Sequence, residues 1–374
     1  MRLAVICRPF SFHGGVETAT AGLVRALVAR GGYDVDLITP AGQIPVAGVG
    51  IRRLAVPGQP SMLRQLCFAL AAMRAVRNGA YDVVQSHERC LTQDIYRAGE
   101  GCHRAYLQAM GRTRLQVNPQ HQLLLALERR IFTLRAARHI VAISRRGKAE
   151  IERLYRTPAE KITVVYNGVD LARFHPENRK RWRADTRGAL GIPQAAWLVA
   201  FIGSGFERKG LGPLMEAVAA LRAGDVHLLV AGKGHIDLYR PLEARLGLQG
   251  AVTWIAPRPD VERLYAAADA VALPARYEPF GNVHLEALAS GVPVLTSSFT
   301  GGSEVVSDGG AGAVTASLEP SDIARGLLTI RDSDADRLAL AARASAEPFT
   351  YAAQVEGLDR IYRFLMTQRG SSPQ

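Results

Sequence analysis

Short segments rich in apolar residues alternate with helical segments along almost the entire chain of 374 residues. These segments predict strands, and because those of the second half are apolar almost throughout, helices should cover both sides of that sheet. In the first half the predicted strands are Leu3–Cys7, Asp34–Ile38, Tyr81–Gln85, Gln93–Ala98, His139–Ile143 and Ile162–Val165. In the second half they are Trp197–Ile202, Val226–Ala231, Val252–Ile255, Ala270–Leu273 and Val294–Thr296. This alternation predicts two doubly wound α/β halves with parallel sheets.

The turn signal Asn167-Gly168 marks the end of the first half. The segment Arg173–Gly188 that follows is rich in Arg and Lys, so we expect a polar connection between domains there. The predicted domains are residues 1–166 and 167–350. A final helix is predicted over Tyr351–Met366.

Two carboxylates, Glu278 and Glu286, follow the predicted strand Ala270–Leu273. A Pro-Phe-Gly turn comes after the first, and a helical pattern leads to the second. Open α/β sheets bind ligands at the carboxyl ends of their strands. Charge-assisted hydrogen bonds from these two residues could therefore hold hydroxyl groups at both ends of a nucleotide-sugar. The spacing alone is equally compatible with two solvated glutamates on an amphipathic helix.

Two glycine loops follow predicted strands in separate halves of the chain. One contains Gly203 and leads to Arg208 and Lys209 at a predicted helix start; the other contains Gly14 and Gly15. Glycine lets backbone amides approach a phosphate, and both a helix N-terminus and cations favour negative charge. Each loop alone is weak support, because strand-to-helix turns use glycine for geometry. Together with the paired glutamates they favour a diphosphate ligand.

The chain resembles the GT-B glycosyltransferases of family 4, which are retaining and use a nucleotide-diphosphate sugar. The resemblance extends over nearly the whole sequence through Gly14-Gly15, Tyr166–Asp170, Gly203–Gly210, Glu278–Glu286 and Gly291–Val294. It implies a GT-B fold, in which two Rossmann-like doubly wound domains face a cleft. The first domain would bind the acceptor and the second the nucleotide-sugar, with a C-terminal helix over residues 351–368 packing back on the first domain.

Within the family, the order Asp94–Glu100 followed by Cys102–Ala105 most resembles the enzymes that add the first glucose to the heptose inner core of lipopolysaccharide. This narrower resemblance implies UDP-glucose as the donor and a glycan or lipid-linked acceptor.

The family resemblance also implies a role for each residue of the motifs. Arg208 and Lys209 would stabilise the charge that develops on the leaving nucleotide diphosphate. Glu278 would bind the donor sugar hydroxyls as a catalytic residue, and Glu286 would bind the ribose. Arg258 lies where the family contacts the base, although this chain has Pro before the Arg in place of the family's Gly. The remaining residues of the expected donor site are Gly14, Gly15, Gly203, Phe280, Gly281 and Asn282.

Four residues of the first domain are candidates near the acceptor: His87, Asp94, Glu100 and His103. Glu100 matches the position where relatives carry an Asp or His close to the anomeric carbon. It would be catalytic, because it would orient the acceptor or stabilise the cationic sugar during attack on the same face. The alternative is that Glu100 is a surface glutamate in a glycine-flanked turn. His87, Asp94 and His103 are candidates for acceptor binding, although a single His at a strand end is as often a structural residue.

Neither a cofactor nor a metal ion is expected. No Asp-x-Asp motif lies in a suitable loop, and the nucleotide-sugar itself is a substrate.

The four cysteines, Cys7, Cys67, Cys90 and Cys102, form no CxxC pair, so we expect reduced thiols. No apolar run approaches the length of a bilayer span. We therefore expect a cytoplasmic protein.

The formal net charge of +12 is concentrated between Arg104 and Lys161. Within this region, His121–Arg138 interleaves apolar residues with arginines and predicts a long basic amphipathic helix. Its apolar residues should face the core, and its basic face is either simply solvated or binds anionic lipid head groups or a phosphorylated acceptor. We hypothesise peripheral attachment to the inner face of the cytoplasmic membrane, and we expect no nucleic-acid partner.

Three functions stay open at this point. The first is transfer of a hexose, expected to be glucose, from a nucleotide-sugar to a glycan or lipid-linked acceptor such as the lipopolysaccharide inner core. The second is a nucleotide-sugar epimerase of the same architecture. The third is a non-catalytic polyanion-binding protein, whose binding would fall steeply with salt. The paired glutamates and the glycine loops favour the first.

Overall fold

The structure is a computed structural model that describes residues 1–10, 15–57, 61–111, 118–133, 136–221 and 225–370. It divides into two compact units. The first contains the N-terminal strand, Val16–Gly168 and the segment from Tyr351 onward, and the second contains Val169–Thr350.

The first unit is built around a parallel sheet. Its described strands are β1 Arg2–Ile6, β2 Asp34–Pro40, β3 Val49–Leu54, β4 Val83–Ser86, β5 Ile95–Arg97, β6 His139–Ala142 and β7 Ile162–Val164. Their order is β3-β2-β1-β4-β5-β6-β7. Val5 of β1 pairs in parallel with Leu37 on one side and with Gln85 on the other. The strand order therefore reverses between β1 and β4, where open α/β sheets bind ligands.

The second unit repeats this plan. Its described strands are β8 Trp197–Ile202, β9 Val226–Ala231, β10 Val252–Ile255, β11 Ala270–Leu273, β12 Val294–Ser297 and β13 Gly312–Thr315. Their order is β10-β9-β8-β11-β12-β13, so the reversal lies between β8 and β11. The central strands β8 and β11 are almost wholly buried, as their continuous apolar sequences require. These two sheets confirm the predicted doubly wound α/β fold.

Helices cover both sheets. The described helices before the second unit are α1 Gly15–Arg30, α2 Ser61–Arg77, α3 His103–Ala109, α4 Pro119–Thr133 and α5 Arg145–Tyr155. Those of the second unit are α6 Glu177–Ala189, α7 Leu211–Ala220, α8 Arg240–Arg245, α9 Glu262–Ala267, α10 Asn282–Ala289, α11 Ser303–Gly309, α12 Pro320–Arg331 and α13 Ala335–Ala346. The last helix, α14 Tyr351–Gly370, packs Leu358 and Tyr362 into the core of the first unit, among Leu3 and Val5 of β1.

Two edge strands, β3 and β13, were missed by the sequence prediction. Neither forms a continuous apolar run: β3 reads Val-Gly-Ile-Arg-Arg-Leu and β13 reads Gly-Ala-Val-Thr. Each lies at the end of its sheet and is mostly half-buried or exposed. An edge strand has a neighbour on one side only, so its residues need not be uniformly apolar.

The predicted polar connection over Arg173–Gly188 was wrong, because most of it forms helix α6. Three of its arginines converge on the carboxylate of Asp269: Arg179 Nη2 and Arg183 Nη2 lie 2.7 Å from Oδ1, and Arg187 Nη2 lies 2.7 Å from Oδ2. The Arg187 side chain is fully buried. The arginines of this segment thus dock helix α6 against the rest of the second unit. The polar sequence does not indicate a loop.

The basic helix is shorter than predicted, since α4 ends at Thr133 and residues 134–135 lie outside the described part of the chain. Leu127, Ile131 and Phe132 are buried, whereas Arg129 and Arg130 are exposed. The apolar residues of its second half therefore face the core, and its basic face is solvated. None of the helices within the described ranges is long and apolar enough to cross a membrane. All four cysteines are described, and no disulfide joins them.

Candidate active site

Three charged residues of the expected donor site meet in the second unit: the two cations expected at the diphosphate and the glutamate expected at the sugar. Arg208 and Lys209 follow β8, and Glu278 follows β11, the neighbouring strand of the sheet. Glu278 Oε2 accepts a hydrogen bond from Arg208 Nη1 at 2.8 Å and lies 2.9 Å from Lys209 Nζ. Arg208 Nη1 also donates to the carbonyl oxygen of Tyr277 at 2.7 Å. We call Arg208, Lys209 and Glu278 the Glu278 cluster.

The Glu278 cluster carries a net positive charge. Burial raises the pKa of Glu278, but the Lys209 and Arg208 cations outweigh burial and hold the pKa at about 2. The carboxylate is therefore ionised at neutral pH, and two cations with one carboxylate leave one positive charge. The Arg208 side chain is 27% exposed, so solvent or a ligand can reach this charge.

A glycine makes room for the lysine of this cluster. Gly203 adopts φ +140°, and a Cβ atom at this position would lie 3.0 Å from Lys209 Cε and Nζ. Arg208 and Lys209 were predicted at a helix start, but α7 begins only at Leu211 and the two residues lie in the preceding turn. Both cations and Gly203 therefore belong to one loop between β8 and α7.

The turn after Glu278 is fixed by a histidine that sequence reasoning missed. Phe280 is buried, Gly281 adopts φ +85°, and Asn282 begins α10. His284 Nδ1 lies 2.7 Å from the carbonyl oxygen of Gly281, and its Nε2 lies 2.8 Å from Thr296 Oγ1. Because a carbonyl oxygen only accepts, Nδ1 carries the proton.

Burial lowers the pKa of His284 to about 4, so the ring is neutral and holds the turn in one conformation at neutral pH. Its position three residues after Gly281, on the first turn of α10, is the signal that could have found it.

Glu286 has different surroundings. Tyr265 Oη, on α9, donates to Glu286 Oε2 at 2.6 Å. Burial raises the pKa of Glu286, the opposite direction from Glu278, and within the described part of the chain no ion pair reaches it. The two glutamates of the motif therefore have separate roles: one is the counter-ion of two cations, and the other accepts from a buried phenol.

Two other expected donor residues, Arg258 and Gly15, are among the described residues. Arg258 Nε and Nη2 donate to the two carboxylate oxygens of Asp260, both at 2.5 Å, so its guanidinium is held in a planar pair. Gly15 begins α1. Gly14 lies outside the described residues.

A second charged cluster lies at the carboxyl ends of β1, β4 and β5 in the first unit. Glu100 accepts hydrogen bonds from Arg8 Nη2 at 2.6 Å and from Arg89 Nη1 at 2.9 Å. Arg8 also contacts both oxygens of Glu88, at 2.8 and 2.9 Å. Arg89 Nη2 donates to the buried Glu128 at 3.2 Å. We call these five residues the Glu100 cluster.

Burial and pairing act in opposite directions on two carboxylates of the Glu100 cluster. Burial raises the pKa of Glu88 despite its contact with Arg8. Burial also raises the pKa of Glu100, but Arg8 and Arg89 outweigh it, and the pKa of Glu100 is lowered. Glu100 is therefore an ionised carboxylate held from two sides. Sequence reasoning had selected Glu100 but none of its partners.

Of the three acceptor candidates, His103 borders the Glu100 cluster, since its backbone amide donates to Glu128 Oε2 at 2.5 Å, whereas Asp94 and His87 have other partners. Asp94 precedes β5 at the opposite, amino edge of the sheet, where its Oδ2 accepts from the backbone amide of Val84 at 2.9 Å. His87 is buried; its Nδ1 lies 3.0 Å from Thr20 Oγ1 and its Nε2 lies 2.7 Å from Gln85 Nε2.

Burial lowers the pKa of His87 well below its ordinary value. His103, at the start of α3, lies with Nε2 3.0 Å from His121 Nδ1, and burial lowers its pKa to about 4.

Over the ranges that the structure describes, no three His, Cys, Asp or Glu side chains come together as metal ligands.

Comparison with known proteins identifies the family. The model for Glycosyltransferase Family 4 matches residues 13–173, and the model for Glycosyl transferases group 1 matches residues 183–346. A D-inositol 3-phosphate glycosyltransferase of Mycolicibacterium vanbaalenii is 30% identical over 372 residues, which cover 88% of this chain and 81% of that protein. Several other D-inositol 3-phosphate glycosyltransferases match over about half of their own length, for example 53% in Corynebacterium kroppenstedtii.

Solved structures share the fold. WaaG, a glycosyltransferase involved in lipopolysaccharide biosynthesis, superposes with a TM-score of 0.84 at 22% identity, over 96% of this chain and 99% of that chain. HepE of Anabaena, solved in complex with UDP and glucose, superposes with a TM-score of 0.74 at 20% identity, over 98% of this chain and 99% of that chain. The chain is therefore a glycosyltransferase and belongs to the GT-B glycosyltransferases of family 4.

Proposed function

We propose that this glycosyltransferase is retaining and transfers a hexose from a nucleotide-diphosphate sugar to a glycan or lipid-linked acceptor. The observation that carries the proposal is the Glu278 cluster, in which two cations and an ionised carboxylate meet at the carboxyl ends of β8 and β11. As the bond from the sugar anomeric carbon to the phosphate oxygen breaks, negative charge grows on the diphosphate. Arg208 and Lys209 stabilise that charge.

For the remaining steps we propose one role for each expected residue. The acceptor hydroxyl attacks the anomeric carbon on the face that the diphosphate leaves, and its proton passes to the departing phosphate oxygen. Glu278 and the Phe280–Asn282 turn bind the sugar, Glu286 binds the ribose, and Arg258 contacts the base. Glu100, whose charge is held by Arg8 and Arg89, stabilises the cationic sugar and orients the acceptor.

The proposed donor is UDP-glucose, and the proposed acceptor is a sugar hydroxyl of a lipopolysaccharide-type inner core. HepE was solved with UDP and glucose, and WaaG acts in lipopolysaccharide biosynthesis, which supports both choices by analogy. The D-inositol 3-phosphate glycosyltransferases suggest phosphorylated polyols as a second class of acceptor to test. We expect activity without a metal ion, because Arg208 and Lys209 supply the positive charge on the diphosphate.

The first experiment is protection against thermal unfolding across a panel of UDP-, GDP- and ADP-sugars. A ligand that binds only the folded state raises the unfolding temperature by mass action. One sugar nucleotide should protect wild type but neither Glu286→Ala nor Arg208→Ala. Release of nucleotide diphosphate only when acceptor is added would exclude an epimerase. No protection by any nucleotide-sugar would favour a polyanion-binding protein.

A surface of the first unit supports peripheral membrane attachment at the cytoplasmic face. Met62, Leu63 and Leu66 on the first turns of α2 are 43%, 46% and 41% exposed. Helix α2 packs against α4, whose Arg129 and Arg130 are exposed. Apolar side chains beside exposed cations suit an anionic bilayer surface.

Liposome flotation tests this attachment. Wild type should float with vesicles that contain anionic phospholipid, and Leu63→Ser or Arg129→Ser should float less. Equal recovery with neutral and anionic vesicles would contradict the proposal.

A further inference from the structure

One carboxylate oxygen of Glu278 contacts both cations that are proposed to bind the diphosphate. Its Oε2 accepts from Arg208 Nη1 and lies 2.9 Å from Lys209 Nζ, so neither cation can contact a phosphate oxygen in this direction without sharing or losing the carboxylate. We propose that Glu278 is an internal counter-ion that competes with the diphosphate for Arg208 and Lys209. This inference rests on the proposed function, because it concerns the regulation of the same site.

Arg208 keeps a second hydrogen bond when the carboxylate leaves, and the mostly buried Lys209 side chain stays beside Gly203. Arg208 Nη1 also donates to the carbonyl oxygen of Tyr277 at 2.7 Å. The Lys209 side chain is 9% exposed and runs directly past Gly203. A diphosphate can therefore replace Glu278 at two cations that stay in place, and the released carboxylate can turn to the hydroxyl groups of the sugar.

The competition weakens binding of the product, the free nucleotide diphosphate, more than it weakens binding of the nucleotide-sugar donor. The sugar ester masks one phosphate oxygen of the donor, and departure of the sugar leaves an additional negative charge on the diphosphate. Repulsion from the Glu278 carboxylate therefore weakens binding of the free diphosphate more than binding of the nucleotide-sugar. When the sugar has moved to the acceptor, Glu278 returns to the cations and favours release of the nucleotide diphosphate.

Glu286 provides a matched control within the same motif. Its side chain is half-buried, its hydrogen-bond partner is the Tyr265 phenol at 2.6 Å, and no ion pair of the described residues includes it. Replacing either glutamate with glutamine removes one negative charge and keeps the shape of the side chain. Only the substitution at 278 frees two cations.

The test is calorimetric titration of wild type, Glu278→Gln and Glu286→Gln with UDP, GDP, ADP and uridine. We expect Glu278→Gln to bind the preferred nucleoside diphosphate on the order of tenfold more tightly, because one unit charge near the phosphates is removed. The gain should shrink as salt concentration rises. Uridine affinity should not change, and Glu286→Gln should bind no more tightly than wild type.

The outcomes separate this inference from the proposed function. Binding of a nucleoside diphosphate to wild type, with equal or weaker binding to folded Glu278→Gln, would overturn the inference and leave the proposed function intact. Binding of none of the three diphosphates to any variant would contradict the proposed function itself. If Glu278→Gln does not fold, Glu278→Asp, whose shorter side chain reaches the cations less well, should show a smaller gain, and no gain would overturn the inference.

Discussion

The Glu278 cluster surrounds one carboxylate with two cations, whereas the Glu100 cluster surrounds two guanidinium groups with three carboxylates. Both clusters lie at the carboxyl ends of strands beside the reversal in strand order of their sheets. Topology therefore offers two equivalent places for a ligand. The sign of the net charge distinguishes the Glu278 cluster from the Glu100 cluster.

The excess charge of each cluster indicates what it can bind. The second unit presents net positive charge on a partly exposed arginine, which suits a diphosphate. In the first unit, Arg8 and Arg89 are already shared among Glu88, Glu100 and Glu128, so an anion would meet excess negative charge there. A neutral hydroxyl or a cationic sugar suits that cluster better. We therefore propose that two sheets of the same design have different roles, set by their side chains.

The largest effect should come from removing a cation of the Glu278 cluster. Lys209→Met keeps the length of the side chain but removes its charge from the leaving diphosphate, so turnover should fall by about 10²–10³-fold. Initial rates of nucleotide diphosphate release measure the effect. Arg276→Ala, an exposed arginine close to Glu278 in sequence, serves as the control and should keep turnover near that of wild type.

Removing the charge of Glu100 should affect turnover but not donor binding. Glu100→Gln should lower turnover by about 10–100-fold, because less positive charge on the sugar is stabilised in the transition state. Its affinity for UDP should stay the same, because the anion binds at the other cluster. Steady-state rates and UDP titration measure the two quantities. A large loss of UDP affinity with unchanged turnover would reverse the assignment of the two clusters.

A smaller effect is expected from the hydrogen bond that positions Glu286. Tyr265→Phe removes the 2.6 Å contact and leaves the half-buried carboxylate of Glu286 without that donor. We expect KM for the donor to rise by roughly tenfold with little change in kcat, a loss of about 1.4 kcal/mol in ribose binding. Tyr239→Phe, a half-buried tyrosine of the same unit, should leave KM unchanged. A fall in kcat alone would contradict a role in ground-state binding.

The buried histidines should make stability depend on pH. The folded pKa of His284 is about 4, below the ordinary 6.5, so the unfolded chain takes up the proton first as pH falls. The free energy of unfolding should therefore drop by roughly 1 kcal/mol for this residue between pH 6.5 and 5.5.

Urea unfolding of wild type and His284→Asn at the two pH values measures this contribution, and the variant should show the smaller drop. An equal drop in both would assign the pH dependence to other groups, of which His87 in the first unit is the first to test.

Much of the fold follows from local sequence. The strands β8 and β11 are continuous apolar runs, and β1 and β9 are interrupted only by Arg2 and His227. The helix over Tyr351–Met366 was predicted from its pattern and extends to Gly370. The prediction failed where polarity had a tertiary cause. Helix α6 is polar because its arginines dock on Asp269, a residue distant in sequence.

The residues of the candidate site also divide into those that the sequence predicted and those that it missed or misplaced. Arg208, Lys209, Glu278 and Glu286 lie in short motifs after strands, so the sequence alone selected them. His284 was missed because Thr296, the partner of its Nε2, becomes a neighbour only when α10 packs beside β12. Asp94 was selected for its place in a motif, yet the backbone of β4 binds its carboxylate at the other edge of the sheet.

The sequence by itself determined two doubly wound halves and the loops that carry the charged residues, because periodicity and turn chemistry are local properties of the chain. Only the tertiary structure decided which charges meet. Arg8 and Glu100 are separated by 92 positions, and their 2.6 Å contact exists because β1, β4 and β5 are neighbours in one sheet. The opposite pKa shifts of Glu278 and Glu286 have the same origin, since burial and the distance to a cation are set by packing.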